Sequence, residues 1–175
     1  MPANHNALVI QGYFPNGPRL PVQRSAKPAA AQPKAPAAAA PATHAAPLPS
    51  AVALPNRGGN PLPAPVLQKM EALFKAKFDD VRVHVGPQPA ALGALAVTQG
   101  SHIYFAPGQY DPNTAQGQRL LGYELAHVVQ QRAGRVTNPF GAGVAVVNDP
   151  RMEAEAERMS LSAGIVEPRP KTTKR

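Results

Sequence analysis

Tyr123, Glu124 and His127 occupy a ten-residue run, Gly122-Tyr-Glu-Leu-Ala-His-Val-Val-Gln-Gln131. The run differs by one residue from His-Glu-x-x-His, with tyrosine in place of the first histidine. On a helix, positions i and i+4 share a face, so two histidines at that spacing grip one metal ion. The glutamate between them polarises a metal-bound water, and the chemistry is metal-assisted hydrolysis. Here Glu124 takes the general-base position and His127 the second-ligand position, while Tyr123 stands where the first ligand belongs.

These residues need a helix. Thr114 is a suitable N-cap and Gly134 a suitable C-cap for one carrying Leu120, Leu121, Leu125, Val128 and Val129. Upstream, Pro65 opens an amphipathic stripe of Val66, Leu67, Met70, Leu73, Phe74 and Phe78, broken at Asp79-Asp80. Val81–Val85 alternates as a short strand, and Pro89–Leu95 reads as a short helix. Leu95–Thr98 and Ser101–Phe105 form a hairpin around Gln99-Gly100. Residues 135–148 read as irregular, and Asp149 or Pro150 starts a final helix. The expected fold class is α+β: a small antiparallel sheet packed with helices, preceded by a long disordered N-terminal tail.

Composition sets the boundaries. Fourteen of the 22 prolines fall by Pro65, mixed with alanine, so residues 1–61 are expected to be a disordered basic tail. One segment inside it, Leu8-Val-Ile-Gln-Gly-Tyr-Phe14, is apolar enough to pair with a sheet edge or groove on a partner, with a leftover apolar stretch without a role as the equal alternative. The folded unit is expected over 62–166, and 167–175 is a short basic tail. Net charge is +8, but it divides into +6 for residues 1–70, −1 for 71–166 and +3 for 167–175. Basic tails without interleaved aromatic residues do not predict a specific nucleic-acid partner. The chain has no cysteine, no secretory leader pattern and no apolar run of membrane-spanning length.

Val81-Arg-Val-His84, Gly100-x-x-Ile-Tyr-Phe-Ala-Pro-Gly-Gln-Tyr110, Gly117-x-x-Leu-Leu121 and Glu124-Leu-Ala-His-Val-Val-Gln-Gln131 occur in that order. Together they resemble the core domain family of extracellular contractile injection systems, over roughly residues 62–160. The resemblance implies a gluzincin-like metallopeptidase fold, in which a later helix supplies a third, glutamate ligand. On Met152-Glu-Ala-Glu-Ala-Glu157 that ligand falls on Glu153, with Glu157 behind it in place of a histidine-orienting aspartate. An acidic helix face paired with neighbouring arginines is the plainer reading of the same residues. The resemblance further implies a bacterial cytoplasmic protein, exported through an injection machine if at all, whose partner is an injection-system component or cargo.

Tyr123 departs from the family pattern. A catalytic zinc site needs three protein ligands and an open position. The favoured reading is a catalytically degenerate module that binds protein and carries no cofactor, with Tyr123 filling the vacated space and bonding Glu124 or Glu153. The alternative is an active zinc peptidase using Tyr123 as an unusual ligand. A third reading, a delivered effector, lacks a second domain to carry it. His84 is expected to be structural, with a rescue-ligand role as the other option. His102 is expected on the solvent face of its strand, and Ser101–Phe105 as a sheet strand or a peptide-binding edge.

Overall fold

The computed structural model describes residues 7–15 and 43–164. The expected C-terminal tail, 167–175, lies outside the described residues, as do 1–6 and 16–42 of the N-terminal segment. Among the described residues six strands and four helices follow in order: β1 (Ala7–Tyr13), β2 (His44–Pro47), α1 (Ala64–Phe74), β3 (Arg82–Val85), α2 (Gln88–Ala91), β4 (Ala96–Gln99), β5 (His102–Phe105), α3 (Ala115–Arg132), β6 (Gly143–Asn148) and α4 (Pro150–Ala163).

The strands form one sheet in the order β2-β6-β1-β4-β5-β3. The class is α+β, but the sheet is mixed. β1 runs parallel to β6 and β3 parallel to β5, while the β1–β4, β2–β6 and β4–β5 pairs are antiparallel. A hairpin accounts only for β4–β5, where Gly100 takes a φ of 59° at the turn. The parallel pairs come from long connections that local patterning does not reveal.

The larger difference lies in the N-terminal segment. Residues 7–13 are an inner strand of the sheet, and 44–47 are one of its edges. The apolar run Leu8–Phe14 therefore pairs with this chain's own sheet, and the folded unit takes in residues ahead of Leu62. β1 lies between β6 and β4 in a sheet packed on both faces, and Val9, Ile10, Gln11 and Gly12 are all buried. β6 corrects the irregular assignment of 135–148. Val144-Ala-Val-Val147 is a continuous apolar run, as a strand covered on both faces requires.

One sheet face carries α1, α3 and α4 over a core that includes Met70, Phe78, Ile103, Phe105, Leu121 and Leu125. The other face carries Ile10, Val97, Tyr104 and Val146, packed by Leu92 and by Leu48, Val52 and Leu54 of the 43–60 segment. α1 ends at Phe74 rather than running on to Phe78, because Lys75 turns into the left-handed region (φ 51°). α3 begins where expected, with the Thr114 hydroxyl accepting from the Gly117 amide at 3.1 Å. α4 is capped likewise by Asp149, whose carboxylate accepts from the Arg151 amide. The α3–α4 packing brings the two acidic and histidine motifs together.

Candidate functional site

α3 directs Tyr123, Glu124 and His127 inward, and all three are buried. α4 brings Glu153 across from them. The Tyr123 hydroxyl donates a very short hydrogen bond to Glu153 Oε2. His127 Nε2 lies 3.5 Å from that same carboxylate oxygen, an ion-pair contact rather than a hydrogen bond. The Tyr123 ring is wedged edge-on between His127, at 4.9 Å, and Tyr13 of β1, at 5.1 Å. Four residues named from sequence thus form one cluster: Tyr123, Glu124, His127 and Glu153.

Glu124 is fully buried and its carboxylate is spoken for. The Tyr13 amide donates to Oε1 at 3.1 Å and the Thr98 hydroxyl to Oε2 at 2.7 Å. β1 and β4 therefore both hold the residue at the general-base position. Burial, the largest influence, raises its pKa to about 7, against the lowering effects of His127 and Thr98. Burial likewise raises the Tyr123 phenol far above its ordinary value, with the Glu153 carboxylate adding to the shift. At neutral pH Tyr123 is a neutral donor. For His127, burial favours the neutral ring, but Glu153, Glu124 and Gln130 together outweigh it and raise its pKa.

Glu157, assigned behind the ligand set, pairs instead with Arg119 at 2.6 Å, half exposed. Its side chain is long enough to reach outward from α4 to that guanidinium. The residue that orients His127 is Gln130, whose Oε1 lies 2.9 Å from Nδ1. Gln130 also donates to the Met152 carbonyl at 3.0 Å and accepts from Gln11 of β1 at 3.3 Å. Its neighbour Gln131 bonds Gln11 and the Thr98 carbonyl. The glutamine pair at 130–131 was visible in sequence, but its role needs β1, whose place in the sheet was not. Glu155 points away and pairs with Arg135 through two 2.7 Å contacts. His84 and His102 bond each other on the far side of the sheet, and β5 lies between β4 and β3, so Ser101–Phe105 offers no free edge.

Two buried polar atoms in the cluster lack hydrogen-bond partners: His127 Nε2 and Glu153 Oε1. These are the atoms a gluzincin-type centre would turn toward zinc. The third donor is a phenol held protonated and bonded to Glu153. Among the described residues no group of three or more His, Cys, Asp and Glu is gathered to hold a metal ion. A catalytic zinc, which needs three protein ligands, does not fit the residues present.

Beside the cluster opens a cleft of about 550 Å³, lined by Tyr13, Tyr123, Leu120, Gln109, Arg119 and Glu157, among others. It presents two tyrosine rings next to an exposed ion pair.

Fold and cluster define an α+β domain built round a central helix with a Tyr–Glu–His core. Residues 61–135 match the family model described as the eCIS core domain. That likeness points toward a contractile injection system. The match ends ahead of β6 and α4 and begins after β1 and β2, so Tyr13 and Glu153 both lie outside it. No curated protein and no solved structure matches the chain. Among the described residues no helix is long and apolar enough to cross a membrane.

The two raised pKa values set a pH dependence. A carboxylate whose folded pKa is raised from 4.5 to about 7 holds its proton more tightly when folded. Stability from this group is therefore greatest below about 4.5 and is lost as pH climbs through about 7. His127, also raised, contributes stability fully below its ordinary 6.5 and loses it as pH rises through its folded value. Both act in one direction, while His84 and His102, whose pKa values are lowered, act in the other over the same range. The Glu124 contribution is read as a difference: between about pH 5 and about pH 8 the wild type should lose more melting temperature than Glu124→Gln, measured by thermal unfolding in matched buffers.

Proposed function

We propose that this chain is a catalytically degenerate, metallopeptidase-like module of a contractile injection system, working by binding a protein component or cargo. The observation that carries this reading is the Tyr123 hydroxyl on Glu153. It occupies a would-be ligand carboxylate with a neutral donor at the position where a first histidine would stand. The engagement of Glu124 by Tyr13 and Thr98 supports it, because a general base needs its carboxylate free to face water. The cleft beside Tyr13 and Tyr123 is the surface on which a polypeptide would dock.

Elemental analysis of the untagged full chain tests the reading, together with hydrolysis of an unfolded protein substrate by the wild type and Glu124→Gln. Zinc far below one equivalent, and no hydrolysis that depends on Glu124, is the expected result. One tightly held zinc, with turnover abolished in Glu124→Gln, would overturn it in favour of an active peptidase using Tyr123 as a ligand.

A further inference from the structure

On the sheet face opposite α3, His84 of β3 and His102 of β5 turn their rings toward each other. His84 Nε2 and His102 Nδ1 are 2.9 Å apart. The two strands are parallel, with His84 opposite Tyr104 and His102 opposite Arg82, so the histidines meet on the diagonal. Tyr104 fixes them from below. Its ring stacks on His84 at 4.8 Å and 17°, and its hydroxyl is anchored to the Pro55 carbonyl at 2.6 Å. Gly59 closes the other side, and a Cβ there would sit 2.8 Å from His84 Nε2. Both histidines are half-buried.

We propose that His84 and His102 form a two-histidine chelate for a divalent cation of tetragonal preference, copper(II) or nickel(II). Imidazole nitrogens suit copper and nickel, and copper(II) heads the order of affinity among the divalent ions. The 2.9 Å separation is that of the pair's own hydrogen bond, and a small rotation of the rings turns both nitrogens onto one ion. Water fills the remaining positions.

Proton balance allows the exchange. Burial lowers the pKa of both rings, each is lowered further by a neighbouring cation or imidazole, and both are neutral at pH 7. In the metal-free pair one facing nitrogen carries the proton and the other accepts it. When the cation enters, the donor ring shifts its proton to its outer nitrogen, which frees both facing lone pairs. No proton is lost and no residue changes charge. The site is independent of the α3 cluster, since it draws on neither His127 nor Glu153.

The test is titration of the untagged full chain, carrying His5→Ala and His44→Ala, with copper(II), read by electron paramagnetic resonance. One equivalent should bind with an axial spectrum showing nitrogen hyperfine structure. His102→Asn and His84→Gln should each weaken binding about 10²-fold while leaving the melting temperature near that of the parent. His127→Ala should leave the copper spectrum unchanged. Copper retained at full affinity in both strand variants, or lost in His127→Ala, overturns the proposal. So does a parent chain that shows no nitrogen-coordinated copper.

Discussion

Tyr123→His is expected to bind about one zinc per chain where the wild type keeps little. The substitution puts an imidazole at the i position of an i, i+4 pair whose other member, His127, already has a bare, buried Nε2. It also frees Glu153 from the phenol, so both of that carboxylate's oxygens become available. If an intact four-ligand zinc site is worth ~10–16 kcal/mol, one ligand accounts for very roughly 3–4, or about 10²–10³-fold in affinity. That gain is large enough to read by elemental analysis after dialysis, with His127→Ala in the same background to locate the ion. The aromatic contact with Tyr13 is lost, which costs about 0.5–1.5 kcal/mol and leaves the fold intact. Hydrolysis should stay at background in this variant, because Tyr13 and Thr98 still hold Glu124. A folded Tyr123→His that takes up no zinc would mean that the cluster is a structural core and not a vacated metal centre.

The candidate site was legible because its parts are local. The spacing of Tyr123, Glu124 and His127 fixes their relation on one helix whatever the rest of the chain does. Capping by Thr114 and Asp149 is equally local, and both helices start where their caps say. Pairing across the sheet is not local. β1 reaches β4 and β6 over long stretches of sequence, and nothing in Ala7–Tyr13 specifies which strands it will join. An apolar segment in a proline-rich surround suits an external partner or an internal one equally well, and only the tertiary fold decides. The roles of Gln11, Gln130 and Thr98 were hidden for the same reason, since each depends on where β1 or β4 lies over α3. The place of Glu157 came from motif register alone, which does not say where its side chain points. Its longer side chain finds Arg119 outside the core.

Gly12→Val in the full chain is expected to cost roughly 3–5 kcal/mol of stability, and a chain shortened to begin at residue 61 should fail to fold. Any Cβ on Gly12 would lie 2.3 Å from the Ala96 carbonyl oxygen and 2.8 Å from the Val97 Cα. Those are backbone atoms of β4, which cannot move aside as a side chain can, so β1 must leave its register. The losses then compound. Ile10, fully buried, contributes about 1.5–3 kcal/mol on its own. Gln11 leaves Gln130 and Gln131 short of partners, and Glu124 loses the Tyr13 amide while still buried. Against a typical total of about 5–15 kcal/mol, removal of the whole strand takes most of what holds the domain together. It also bares the facing edges of β4 and β6, two apolar strands open to pairing between chains. Urea unfolding of Gly12→Val, and the solubility and near-ultraviolet circular dichroism of the 61–175 chain, provide the readouts. A soluble 61–175 chain with native-like aromatic signals and an unchanged urea midpoint would make β1 an accessory strand. The expected outcome binds the N-terminal segment to the site itself, because the strand that completes the sheet also closes the carboxylate at the general-base position.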